Sequence, residues 1–128
     1  MSFQEHLDEI VVSTGLYKWA CIISGANAKR VANTPINNLT QAEGMNIIRI
    51  LKGDININNG VTVGGNKYII NKFNRHHTIQ ARKSDGSGVA ISKSNVFIIV
   101  AVFDNRTNSV DAYDTVDELA SFFKELGH

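Results

Sequence analysis

The chain has 128 residues, 43% hydrophobic and 20% charged, with a formal net charge of +1. That length and balance support a hydrophobic core without disulfide or metal staples and exclude a disordered chain. A near-neutral total gives no general drive toward nucleic acid, so any electrostatic site must be a local patch, and the one cysteine, Cys21, rules out an internal disulfide and suits a reducing compartment.

Ser2 followed by Glu5 makes a capping-box pattern, and Phe3, Leu7, Ile10 and Val11 fall on one helical face. A first helix to about residue 13 is predicted, ended by Ser13-Thr14-Gly15. This segment carries Glu5, Asp8 and Glu9 with no cationic stretch ahead of an apolar run, so it does not read as a signal peptide. No window approaches the roughly 20 apolar residues that span a bilayer. The expectation is a cytoplasmic protein of one domain over residues 1–128.

The run YKWACIIS has Tyr17, Trp19, Cys21 and Ile23 on one face and Ala20 and Ile22 on the other, as in a strand covered on both sides. Gly25-Ala26-Asn27 predicts a hairpin turn into a shorter polar strand ending before Pro35. Thr40 and Glu43 form a second capping box, Ile47, Ile48 and Leu51 supply the inward stripe of that helix, and Gly53 ends it. From residue 55 onward the pattern is strands: VTV, KYIINKF, HTIQARK, VAISKS and VFIIVAVFD. Their short connections force antiparallel neighbours. The run Val96–Phe103 is apolar on both sides, which predicts the central, doubly covered strand. A last helix carries Val116, Leu119, Ala120, Phe123 and Leu126 as its stripe and Gly127 as its stop, starting either near Ser109 or at a third capping box, Thr115 with Glu118. The fold class expected is α+β: a central antiparallel meander with the terminal helices on one face and a further helix on the other.

No motif points to bond-making chemistry. Gly64-Gly65-Asn66-Lys67 lacks phosphate-loop spacing and precedes a strand rather than a helix N-terminus, so it reads as a tight turn, as does the glycine pair in DGSGVA. His76 and His77 are adjacent, point to opposite sides of a strand and have no third ligand nearby, so no metal is expected. Cys21 lies in an apolar strand without a predictable basic neighbour and reads as inert. No cofactor is expected, and the chain does not read as an enzyme.

The basic residues carry more. Lys67, Lys72, Arg75, Arg82, Lys83 and Lys93 all fall in the meander, about half of the 13 Lys and Arg, while acids gather in the terminal helices and at 111–118. By period two, Lys67, Ile69 and Asn71 share a face, with Lys72 on the other or at the strand's end. Either a solvated sheet surface or a docking surface for an acidic protein or anionic lipid headgroups fits that segregation.

In order and spacing these pieces resemble the profilin family of small actin-monomer-binding proteins. "MSFQEHLDE" is similar to its Met-Ser-Trp-Gln start, "GVTVGGNKYIIN" to its Gly-Gly-x-Lys-Tyr stretch, and "ARKSDGSGVAISKS" to its basic strand, glycine turn and Lys-bearing strand. "VFIIVAVFD" and a final helix ending "ELGH" complete a match over nearly the whole chain. The resemblance implies a monomeric, non-enzymatic protein that binds monomeric actin and regulates filament assembly. It implies an actin face of Lys67, Ile69, Lys72, Arg82, Lys83, Lys93 and, at the start of the last helix, Tyr113. It also implies phosphoinositide contacts at Lys72, Arg75, Arg82 and Lys83. Asp111, Tyr113 and Asp114 stand where the family usually carries polar or basic residues, and the like charges would weaken attachment to ordinary actin, which suits a divergent one.

The family's second site holds proline-rich peptides, such as those of formins, between the terminal helices. Here Phe3 stands where Trp is usual, His6 where Tyr is common, Val31 where a second Trp is expected and Phe122 where Tyr or His is expected, with His128 ending the chain. Phe keeps apolar area but supplies no hydrogen-bond donor, so a weakened or altered groove is expected, with Phe3 and Phe122 packing the helices together. Trp19 on the neighbouring strand is a candidate to replace the missing ring. The competing readings are a roadblock- or longin-like dimeric scaffold for a small GTPase and, in another class, a PAS-type ligand sensor or a small enzyme using Cys21.

Overall fold

A computed structural model describes residues 2–128; Met1 lies outside them. Helix α1 spans Phe3–Leu7, with the Ser2 hydroxyl accepting from the Glu5 N–H at 3.1 Å, and widens into a π-type turn over Asp8–Val12. Strands β1 (Trp19–Ser24) and β2 (Arg30–Asn33) form the predicted hairpin. Helix α2 (Gln41–Lys52) has the full Thr40–Glu43 capping box and stops at Gly53, whose φ of 83° is the left-handed conformation that glycine takes without strain. Then come β3 (Val61–Val63), β4 (Asn66–Asn74), β5 (Thr78–Arg82), β6 (Gly88–Lys93), β7 (Phe97–Phe103) and α3 (Ser109–Glu125).

Of the two predicted starts for α3, the earlier is used. The Asn108 side chain accepts from the Val110 and Asp111 amides, which satisfies two orphan donors, and Thr115 sits inside the helix. Leu126 leaves the predicted stripe: it lies beyond the last turn and is exposed.

The strands make one seven-stranded sheet in the order β2-β1-β7-β6-β5-β4-β3, every neighbouring pair antiparallel. β7 is covered on both faces as expected, but the middle position belongs to β6, which is equally buried. Side chains alternate between two cores. Ile47, Ile48, Ile50 and Leu51 of α2 pack on Cys21, Ile23, Ile79, Ile91 and Val100. On the opposite face Leu7 and Val11 join Ala112, Val116, Leu119 and Phe123 of α3 over Ala20, Ile22, Ile99, Ala101 and Phe103. This is the curled antiparallel sheet between helices that the sequence predicts.

Coverage of the second face is incomplete. α1 and α3 lie over β2, β1, β7 and β6, whereas the side chains of β4 that point away from α2 stay exposed. The fold therefore leaves the outer face of β4 and β5 bare beside the start of α3.

Candidate functional site

Strand register decides which basic side chains share that bare face. Residues directly opposite each other in an antiparallel pair point to the same side. Ile69 is opposite Arg82 and Lys72 is opposite Gln80, and Gln80 and Arg82 are two apart on β5. Ile69, Lys72, Gln80 and Arg82 thus share one side, and alternation adds Lys67. The expectation that Lys72 lies on the other face or at the strand's end is corrected: a β-bulge between Ile70 and Lys72 inserts Asn71 as an extra residue and brings Lys72, still paired within β4, to the side of Ile69.

Lys67, Ile69, Arg82 and Lys83 line a shallow depression of about 490 Å³ together with Asn58, Gly60 and Ser84. Ile69 is 72% exposed there. The Lys83 ammonium donates to Asn66 Oδ1 at 3.3 Å and lies 5.9 Å from the centre of the Tyr68 ring, which holds it at the rim. Among the described residues the one ion pair joins Arg106 to Asp104 at 3.2 Å, so no carboxylate is in ion-pair contact with these cations, although Asp85 lies close enough to feel the charge of Lys83. Tyr113 on α3 closes the side of the patch. It is 7% exposed, stands edge-on to Phe103, and places its hydroxyl 3.4 Å from the Ala81 carbonyl. Burial raises its pKa, while Arg82 and a hydrogen bond with Asn71 oppose that rise. Asp111 and Asp114 are exposed on the neighbouring turn of α3.

Two of the predicted cations lie elsewhere. Lys93 continues the alternation of Val89 and Ile91, both buried against α2, and pairs with Ile98 of the same core. Its ammonium donates to the Ser94 and Asn95 carbonyls at 3.1 Å each, and desolvation followed by Lys124 lowers its pKa. Arg75 follows β4, and its Nε donates to the Lys52 carbonyl at 2.9 Å, capping the end of α2. It is drawn toward the α2 layer, away from Lys72 and Arg82.

The terminal helices meet in an aromatic cluster. Phe3 is wedged edge-to-face against Phe97, Phe123 and His128, with ring centres 4.6, 5.3 and 5.1 Å away. His6 stands 5.0 Å from Phe122, which is 39% exposed. The His128 carbonyl accepts from the Val96 N–H at 2.7 Å and the Ser94 hydroxyl at 3.0 Å, tying the chain end to the β6–β7 turn. Phe97 and Phe123 were missed as groove residues, although Phe97 begins the period-two series that faces these helices. Trp19 has to be withdrawn from the groove: at 6% exposure it belongs to the core under α2, on the other side of the sheet. Val31 is exposed at the irregularity between β1 and β2, far smaller than a ring. Along α3 beside Phe122 runs an acidic depression of about 430 Å³ lined by Asp114, Asp117, Glu118, Ser121 and Glu125.

The Gly64-Gly65 turn, with φ of 60° and 81°, does present amides suited to an anion. The anion is the chain's own: Gly64 and Gly65 donate to Glu43 Oε1 and Oε2, both at 2.9 Å. A Cβ on Gly64 would also stand 3.1 Å from Trp19 Cζ2, so the turn lies directly on that ring. The turn reading holds, with a carboxylate occupying the place a phosphate would take. Cys21 is fully buried and its thiol is pushed up to about 12 by burial, which fits the inert reading. No group of His, Cys, Asp and Glu among the described residues could hold a metal, and no helix among them is long and apolar enough to cross a membrane.

A sequence model of the family described as Profilin matches residues 1–128, which displaces the roadblock- or longin-like alternative. Profilin-1 of Dictyostelium discoideum is 28% identical over 130 residues, covering 100% of both chains. The solved structure of Acanthamoeba castellanii profilin IA matches with a TM-score of 0.91 at 23% identity, covering 99% of this chain and 100% of that one. LokiProfilin1, solved in complex with rabbit actin, matches with a TM-score of 0.77 at 17% identity over 98% of this chain and 99% of that one.

Proposed function

The chain belongs to the profilin family, whose members are non-catalytic actin-binding proteins, and from that premise we propose that it binds monomeric actin through the outer face of β4 and β5 and so regulates filament assembly in the cytoplasm as a monomer. One observation carries this reading: exposed Ile69 shares its face with Lys67, Lys72 and Arg82 and has Lys83 at the edge of the patch, with no carboxylate among the described residues in ion-pair contact with them. An apolar centre inside a cationic rim suits a partner with an acidic rim around an apolar spot; the centre supplies affinity and the charges supply on-rate and register. LokiProfilin1, of the same fold, was solved with actin.

Lys72, Arg82 and Lys83 are also the residues to meet phosphoinositide headgroups; Arg75, turned to the end of α2, is left out of that set. Headgroups and actin then compete for one surface. Proline-rich segments such as those of formins dock, if weakly, over Phe3, His6, Phe122 and His128. Those rings offer apolar stacking area, while the Phe residues lack the donors that would bond peptide carbonyls.

The test is assembly of pyrene-labelled actin with and without a proline-rich formin segment. The expected result is slower spontaneous assembly in proportion to added protein, with little further effect of the segment. Actin from any source assembling unchanged overturns the reading.

A further inference from the structure

We infer that Glu43 is the positioning residue for the actin-facing surface, acting through the Gly64-Gly65 turn; the inference rests on the actin reading above. Its carboxylate joins three backbone amides from two separate segments of the chain. Oε1 accepts from Thr40 N–H at 3.1 Å and Gly64 N–H at 2.9 Å, and Oε2 accepts from Gly65 N–H at 2.9 Å. Through the first bond the carboxylate completes the N-terminal cap of α2, and through the other two it clamps the hairpin between β3 and β4 to that helix.

The clamp sits where it matters. Gly65 is followed directly by Asn66, which anchors Lys83, and by Lys67 and Ile69 of the exposed patch. β3 is one of the two edge strands, and among the described strands it pairs with β4 alone. Both turn glycines have positive φ, so little in the local chain itself opposes other conformations. Hydrogen bonds to a charged acceptor are the strong kind, and here they link elements more than 20 residues apart. Beneath the turn lies Trp19, the chain's one tryptophan, against Gly64. It is a built-in reporter of whether the turn stays seated.

Three variants separate the positions. Glu43→Gln keeps the shape but offers one acceptor where two oxygens served, so a turn amide faces an NH2 group. Glu43→Asp keeps the charge at the helix N-terminus but falls short of the turn. Thr40→Ala removes the hydroxyl that receives the Glu43 N–H while leaving the carboxylate's bonds intact. With the competent turn only fractionally populated, actin affinity falls by roughly tenfold in both Glu43 variants. In both, Trp19 emission shifts to the red and Gly64 and Gly65 amides exchange faster, with far-UV circular dichroism unchanged. Thr40→Ala leaves actin affinity and Trp19 emission as they were. Glu43→Gln or Glu43→Asp binding actin as tightly as the unaltered protein overturns the inference. So does Thr40→Ala weakening binding as much as they do, because the helix cap would then be the cause. Unaltered protein that ignores actin overturns the functional reading itself, and the inference with it.

Discussion

Ile69 on β4 lies directly opposite Arg82 on β5, and the bulge at Asn71 brings Lys72 back to their side of the sheet. Without that extra residue Lys72 would point into the layer of α2. With it, cations surround a single exposed isoleucine.

Reversing both Lys72 and Arg82 to Glu should weaken actin association by roughly a hundredfold or more, the scale of about 3 kcal/mol for losing a close charge contact and adding repulsion. Both side chains are exposed, so the melting temperature should hold, surface changes being worth within about 0.5 kcal/mol. Titration calorimetry with monomeric actin beside a thermal melt reads both quantities. Unchanged affinity would reject the assigned face.

Actin association should also weaken as salt rises, chiefly through a slower on-rate, because exposed charges are screened beyond roughly 10 Å at 0.1 M. Stopped-flow association between low and moderate ionic strength gives the slope. A flat response would leave Ile69 without its electrostatic rim.

In the groove, Phe3→Ala should cost about 2 kcal/mol of stability, less than full burial of a ring would imply, since Phe3 is half-buried among Phe97, Phe123 and His128. Phe122→Ala, at a more exposed ring, should cost under about 1 kcal/mol. Urea unfolding measures both, and equal costs would contradict the packing described.

Tryptophan emission of the unaltered protein should stay silent toward polyproline whether or not peptide binds, because Trp19 lies under α2. Phe3→Trp puts an indole and its donor into the groove, and its emission should respond saturably to polyproline. A saturable response of the unaltered protein would place Trp19 wrongly.

Cys21 should resist alkylation in the folded protein and react only as the chain unfolds. The sign of its pH linkage follows from a folded pKa of about 12 above the ordinary 9.0. Folding disfavours the thiolate, so this stability is intact below pH 9.0 and is lost as pH climbs toward about 12. Tyr17, also raised by burial, adds loss in the same direction. Denaturant midpoints from pH 7 to 11 test it, and Cys21→Ala should flatten the alkaline decline.

The elements were legible because their signals are local. Thr40 with Glu43 marks the start of α2, Gly53 its end, and alternation marks each strand, since capping and period depend on residues a few positions apart. The candidate face was half legible. Alternation joined Lys67 to Ile69, but a bulge has no reliable sequence mark, so Lys72 was assigned to the other face or the strand's end. Lys93 and Arg75 looked like members of the same basic set because composition counts charges without regard to where hydrogen bonds draw them. Trp19 was grouped correctly with Cys21 and Ile23, yet which helix covers that side depends on how the sheet is wrapped.

From its sequence alone this protein was bound to make a doubly covered antiparallel sheet with a basic meander, because period, caps and turn glycines act over single turns and strand pairs. Only the tertiary structure decided that Glu43 would fill the Gly64-Gly65 turn, that α1 and α3 would stop short of β4 and β5, and that Trp19 would face α2. Each of these is a contact between residues far apart in the chain, set by register and packing that no short window contains.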